Sequence, residues 1–256
     1  MKHSMPQRKS MKYIEKPNLP QTCVRLAAIS ASAGEATKKL NELGIITIKI
    51  PLLATLPQGI ASHADLQLLH LKENEFITCN EQLFDSLKIE KKPVIKAINA
   101  PTHAYPNDVP LNAAIVGNYI ICNPVTVSKS VLEFAADNGH TIIPVSQGYS
   151  KCSVCILNES AIITDDISIY RAAQNFLSDV TYIEKNSIVL KGYNYGFIGG
   201  CSGKLSKNKI AFNGELSSHN DCNKIVDALQ RNKLEAIELK SGVLEDIGSI
   251  LPILEE

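Results

Sequence analysis

The chain of 256 residues balances 26 basic against 26 acidic side chains, so no overall positive field draws it to phosphate backbones or anionic membrane surfaces, and nucleic acid is excluded as an expected partner. Hydrophobic residues at 45% and charged residues at 20% are ample for a folded core and exclude a disordered chain. No apolar run reaches the roughly 18 residues of a membrane span, since IITIKIPLLATL is broken by Lys49 and Pro51.

Residues 1 to 22, with Lys2, Arg8, Lys9, Lys12 and Lys16 and no apolar signal-peptide core behind them, read as a solvated arm. From Cys23 onward one unit keeps returning, so 23 to 256 read as a single domain. The run CVRLAAIS is a strand without a partner of its own. GEATKKLNELG then patterns as a helix, with Ala36, Leu40 and Leu43 on one face and Gly44 ending it. The strand IITIKI follows, and HADLQLLHLKENEFITC reads as a hairpin whose first strand opens with His63-x-Asp65 and turns at Lys72-Glu73-Asn74.

The second copy holds a weaker helix near EQLFDSLK, the strand PVIKAI, and the hairpin LNAAIVGNYIICN with Gly117-Asn118 as a two-residue turn. In the third, Ser128 caps KSVLEFAADNG, the strand is HTIIPV, and the hairpin is KCSVCILNESAIITDD, whose Asp165 and Asp166 start the next helix. The fourth runs through ISIYRAAQNFL, VTYIEKN and GGCSGKLSKNKIAFNG, with an extra stretch around SIVLKGYNY. The fifth has a helix in NKIVDALQRNK, a strand in AIEL and one final run, VLEDIGSILPIL, so the N-terminal strand is the natural supplier of its missing partner.

Five α/β repeats, each too small to bury its own apolar face, therefore read as a five-fold pseudo-symmetric α/β propeller closed by pairing of the N- and C-terminal strands. The plainer alternative is an open α/β sheet with hairpin insertions. No G-x-G-x-x-G or G-x-x-x-x-G-K-[ST] loop is present to give that alternative a nucleotide site, and no cofactor is expected. Seven cysteines is an odd number, and Cys79, Cys122, Cys152 and Cys155 fall in apolar strand-like runs, as free thiols of a reducing, cytoplasmic protein do. Cys152-x-x-Cys155 invites a zinc or redox reading, but zinc needs two further ligands and a redox pair needs a helix N-terminus, so no metal is expected either.

Strand side chains alternate, so aligned hairpins should reveal which residues share the face of His63 and Asp65. Superposing Cys152-Ser153 on Cys201-Ser202, and the first hairpin by its turn, predicts an inward ring of His63, Asp65, Asn112, Lys151, Ser153 and Ser202, with Asp246 from the final strand. Cys152 and Cys201 fall on the opposite face, unless a β-bulge at Gly199 or Gly200 reverses the parity ahead of Cys201.

The closed five-part arrangement with His-x-Asp opening a hairpin strand resembles the pentein superfamily of guanidino-group modifying enzymes, which holds arginine and agmatine deiminases, dimethylarginine hydrolases and amidinotransferases. The likeness extends over nearly the whole chain from Cys23, and the motif match is the tripeptide in its context. It implies a central pocket for a small polar molecule, a guanidinium or amine. The implied reaction is attack of a cysteine thiolate on the guanidinium carbon, with a histidine protonating the departing amine and carboxylates holding the cation. On that resemblance His63 and Asp65 are catalytic and Asn112, Lys151, Ser153, Ser202 and Asp246 bind the ligand. Relatives carry the nucleophile on the last repeat, where this chain has no cysteine; Cys201, whose GGCSG is similar to the family's Gly-rich approach, is the expected nucleophile, with Cys152 as the other candidate. The alternative function is a non-catalytic scaffold or protein-binding module of the same fold.

Overall fold

Residues 11–88 and 93–256 are described in the computed structural model of the chain. They form five small sheets of one construction. In the first blade β4 (Leu68–Lys72) and β5 (Glu75–Thr78) make an antiparallel hairpin, and α3 (Leu83–Leu87) carries the chain across to β6 (Val94–Ala97), which pairs parallel to β5. The second blade repeats this with β7 (Ala114–Val116), β8 (Tyr119–Cys122), α4 (Lys129–Asp137) and β9 (Thr141–Pro144). The third uses β10 (Val154–Asn158), β11 (Ala161–Thr164), α5 (Ile167–Ala173) and β12 (Asp179–Tyr182). The fourth uses β13 (Ser202–Ser206), β14 (Lys209–Phe212), α6 (Cys222–Arg231) and β15 (Glu235–Glu238).

The fifth blade joins the two ends of the chain. β16 (Leu251–Glu255) pairs antiparallel with β2 (Val24–Ser30), and α1 (Gly34–Glu42) leads from β2 to its parallel neighbour β3 (Ile46–Ile50). The expected closure by terminal strands is thus present. The helices form where the pattern places them: Ser128 accepts a hydrogen bond from the Ser130 amide at the start of α4, and Asp166 caps α5 by accepting from Ser168 and Ile169. Gly44 takes φ +79° just past α1, a conformation open to glycine at no cost. Leu43, expected on the buried face of that helix, is instead its exposed C-cap residue.

The arm reads differently in the structure. Its first ten residues lie outside the described residues, but β1 (Lys12–Tyr13) adds a fourth strand to the fifth blade beside β16. Ile14 and Leu19 are buried, and Tyr13 donates from its hydroxyl to the Leu87 carbonyl at 2.6 Å. Apolar residues thinly spaced among lysines gave too little periodicity to announce this packing.

The apolar interior lies between blades. Leu69 and Ile77 of the first blade meet Ile115 and Ile120 of the second, and Val116 and Ile121 of the second meet Val154 and Ile156 of the third. Leu157 and Ile163 of the third pack on Ile210 and Phe212 of the fourth, Leu205 and Ala211 of the fourth on Ala27 and Ile29 of the fifth, and Leu26 and Leu251 of the fifth on Leu68 and Phe76 of the first. Each blade shares an apolar seam with the next and the last with the first, so the ring is closed by burial worth roughly 1.5–3 kcal/mol per large side chain. What remains for the centre is polar.

Candidate functional site

The residues just ahead of each hairpin converge on that centre. His63 is the N-cap of the short helix α2 (Ala64–Gln67), and strand β4 begins only at Leu68. The expected strand start at His63 is therefore a helical turn, and Asp65 lies within it. His63 is 4% exposed, and its Nδ1 stands 3.8 Å from Asp246 Oδ1. Asp246 comes from the loop ahead of β16 rather than from the final strand. Its Oδ1 accepts from the Gly248 amide at 2.9 Å and its Oδ2 from the Phe197 amide at 3.0 Å.

Behind them Asp65 Oδ2 accepts from Ser249 Oγ at 2.6 Å, and Ser249 Oγ accepts from Lys151 Nζ at 3.0 Å, a chain that joins a buried ammonium to a buried carboxylate through one hydroxyl. Asp65 Oδ1 has no hydrogen-bond partner among the described residues. The Cys152 thiol lies 3.2 Å from Asp65 Oδ2, and Asn112 Nδ2 donates to the same sulfur at 3.1 Å. Asn112 also holds the chain there, since its Oδ1 accepts from the amides of Lys151 at 2.7 Å and Cys152 at 3.2 Å.

Cys152, His63 and Asp246 line one cavity of about 340 Å³. Its walls are aromatic: Tyr105 stacks toward Tyr149 at 6.1 Å between ring centroids, Tyr149 toward Phe197 at 6.0 Å, and Tyr195 meets Phe197 edge-on at 5.6 Å. Tyr193 completes the wall. The Tyr149 hydroxyl donates a short hydrogen bond to Asp108, and burial followed by that carboxylate pushes its pKa up, so the ring stays neutral. An aromatic wall beside the Asp246 carboxylate suits a planar or alkylated cation, which can gain from the ring faces and from that charge.

Burial and neighbouring charge act together on the groups at the floor of the cavity. Burial, then the charges of Asp65 and Asp246, push the Cys152 thiol well above its ordinary range, and only the Asn112 hydrogen bond opposes them. Burial also raises the Asp246 carboxyl, with Asp65 adding to it, while His63 and the amides of Gly248 and Phe197 pull it back. A cation bound here would offset both carboxylates and bring the thiol down.

The structure corrects the parity expectation at Cys152, which lines the cavity, and at Ser153 and Ser202, which do not, and it keeps Cys201 on the outer face that parity gave it. Cys201, the expected nucleophile, has its sulfur 3.3 Å from the Ile198 carbonyl, inside the apolar seam between the third and fourth blades, and it does not line the cavity. Ser153 is wholly buried with an unpartnered hydroxyl outside the cavity lining. Ser202 lies apart from the cavity, beside a void of about 10 Å³ that Lys151 also lines. No bulge occurs at Gly199 or Gly200; the register shifts sit further along, between Lys204 and Ser206 in this hairpin.

Those glycines are explained by close approach. A Cβ on Gly200 would lie 2.1 Å from Asp246 Oδ1, and one on Gly199 would lie 2.3 Å from the Lys151 carbonyl oxygen. Tyr105, Tyr193 and Tyr195 were missed from sequence because they come from insertions, where repeat alignment has nothing to compare. The clustering of tyrosines in GYNYGF was the available signal. Cys155 lies in the apolar seam with Cys201, away from Cys152, so the C-x-x-C spacing does not make a pair. His70, outside the site, is packed on Phe76 at 4.5 Å and held by burial to a pKa of about 4.

Solved structures of similar shape include two amidinotransferases and a dimethylarginine dimethylaminohydrolase. The inosamine-phosphate amidinotransferase from Streptomyces griseus superposes with a TM-score of 0.59 at 10% identity, over 96% of this chain and 97% of that one. The amidinotransferase of the saxitoxin biosynthetic pathway from Microseira wollei gives 0.53 at 9% identity over 88% and 91%, and a dimethylarginine dimethylaminohydrolase from Pseudomonas aeruginosa, complexed with citrulline, gives 0.51 at 9% over 84% and 92%. The fold is accordingly that of the penteins. Within it, residues 28–251 match the sequence profile described as "Family of unknown function (DUF6873)", and the chain belongs to that family. No curated protein sequence matches the chain. Among the described residues no helix is long and apolar enough to cross a membrane.

Proposed function

We propose that the central cavity binds a small guanidinium compound and modifies it through Cys152. The observation that carries this reading is the meeting of Cys152, His63 and Asp246 on one aromatic-walled cavity, with Asp65 and Asn112 in contact with the sulfur. The cation sits between the aromatic faces and Asp246. Its charge offsets the two carboxylates, and only once the ligand is bound does the thiol give its proton to His63, which holds it for the departing amine. The sulfur attacks the guanidinium carbon, the C–N bond to one amine breaks, and His63 gives that amine its proton. Cys152 takes the role expected of Cys201. Lys151, through Ser249, steadies Asp65, and no cofactor takes part in these steps. The amidinotransferases and the hydrolase of similar fold support guanidino chemistry as the class.

The test compares two alkylating probes of equal size at Cys152, chloroacetamidine, which carries a guanidinium-like cation, and the neutral chloroacetamide. Peptide mass spectrometry should find Cys152 modified at least tenfold faster by the cationic probe, with guanidinium salts protecting it. Equal rates, or modification confined to other cysteines, would leave the alternative of a polar but inert ring used as a scaffold.

A further inference from the structure

Two lysines lie inside the ring, away from the aromatic cavity. Lys151 is 6% exposed and Lys204 5%, and both line the void of about 10 Å³ between the third, fourth and fifth blades. The rest of its wall is Ser202, Asn18 of the N-terminal arm, and Gly203 with apolar side chains of the three blades. Among the described residues no carboxylate lines it. A polar space with two buried cations and no anion on its wall asks what balances the charge, because a buried ion is costly unless it is paired.

The acceptors on the page are neutral. Lys204 Nζ donates to the carbonyls of Leu157 at 2.8 Å and Lys207 at 2.9 Å, and Lys151 Nζ donates to the Ser249 hydroxyl at 3.0 Å. An ammonium carries three N–H donors, so both lysines have donor capacity beyond these bonds. Asp65 is joined to Lys151 only through Ser249 and does not line the void. Cys155, on which both lysines act, does not supply the opposite charge: burial pushes its thiol up to about 11, against the Ser202 hydrogen bond and the pull of the two lysines. Burial lowers the pKa of Lys204 to about 8, which leaves it cationic at neutral pH.

We propose that Lys151 and Lys204 hold one monatomic anion, chloride, in this void as a buried counter-ion of the ring. The size of the space selects the ligand, since about 10 Å³ accommodates one water-sized particle and excludes phosphate, sulfate and carboxylates. The ion accepts from both ammoniums and from the Ser202 hydroxyl. It gives Lys151 an anion on one side and, through Ser249, the Asp65 carboxylate on the other. The site stands apart from the reading of Cys152 as nucleophile and does not depend on it.

The experiment uses the full chain with sodium bromide, an ion that takes chloride sites and scatters X-rays anomalously. Crystals grown in it should show an anomalous peak in the void, in contact with both ammoniums. Bromide found on surface lysines alone overturns the site. In solution, exchange of gluconate for chloride at constant ionic strength should raise the thermal unfolding midpoint by about 3 °C or more, as a ligand of the folded state does. Lys204→Met keeps the apolar stem and removes the charge, so it should cut that rise at least about threefold. Lys209→Met, at a half-exposed lysine of the same hairpin, should leave the rise intact. An equal rise in Lys204→Met, or a midpoint that does not distinguish chloride from gluconate, assigns the space to water and overturns the proposal. The bromide peak needs no variant and decides the matter should Lys204→Met fold poorly.

Discussion

The third and fourth blades open with the same dipeptide, Cys152-Ser153 and Cys201-Ser202, and put its thiols in opposite places. Pairing shows why. Val154 opposes Thr164 in the third hairpin and Ser202 opposes Phe212 in the fourth, so Val154 and Ser202 are equivalent and the shared dipeptide is one residue out of register. The turns agree: the amide of Ser153 donates to the Tyr149 carbonyl at 3.1 Å, and that of Cys201 to Phe197 at 3.3 Å. Cys152 therefore corresponds to Gly200, Ser153 to Cys201, and Tyr149 to Phe197. In the third blade the inward position holds a thiol; in the fourth it holds no side chain, and the Asp246 carboxylate fills the room. One residue of register thus decides whether a thiol lines the cavity or lies in the packed core.

The largest effect should come from breaking that difference at its sulfur. Cys152→Ser is expected to lower turnover of a guanidino substrate by at least about a thousandfold, as loss of a nucleophile does. Cys201→Ala should leave turnover within about threefold and instead cost about 1–2 kcal/mol in denaturant unfolding, because it empties a fully buried site. The reverse result would restore Cys201 as nucleophile.

His63→Asn ranks next. If His63 carries the proton as proposed, its loss should reduce turnover by about 10²–10⁴ while the chloroacetamidine probe still reaches Cys152, read by parallel kinetics and labelling. Gly200→Ala then asks what the missing side chain in the fourth blade is for. The new methyl group must displace the Asp246 carboxylate, so ligand affinity should fall about tenfold and stability by about 1–3 kcal/mol, measured by calorimetry and by unfolding. Unchanged affinity would mean that Asp246 does not hold the cation.

Five blades, their hairpins and the pairing of the chain ends were legible because turn residues and two distinct periods repeat along the sequence. His63, Asp65, Asn112, Lys151 and Asp246 were singled out on the same basis, and the structure gathers them. The inward position of Cys152 was not legible because parity holds only inside a strand. Residues 150–153 form a turn ahead of β10, and α2 intervenes between His63 and β4, so counting by twos started too early in both hairpins. A matching dipeptide outweighed the backbone register that sequence does not display.

The comparison extends one residue past the second hairpin strands, where Asp165 of the third blade corresponds to Asn213 of the fourth. Asn213 donates from its amide to the Glu245 carbonyl at 2.9 Å. Asp165 accepts from the Ile198 amide at 2.7 Å through one oxygen and leaves the other without a partner, and burial raises its pKa to about 8 against that hydrogen bond. In the unfolded chain the group titrates near its ordinary value of about 4. Between those two values the folded protein binds more protons than the unfolded one, so this residue should make stability fall as pH rises from about 4 to about 8 and add no slope beyond. Asp165→Asn gives the third blade the neutral side chain of the fourth and keeps an acceptor for Ile198. Unfolding midpoints at pH 5 and pH 8.5 should differ less in this variant than in the parent, with turnover changed least of all the substitutions considered. An undiminished slope would place the titrating group elsewhere in the ring, with Asp246 the next to substitute.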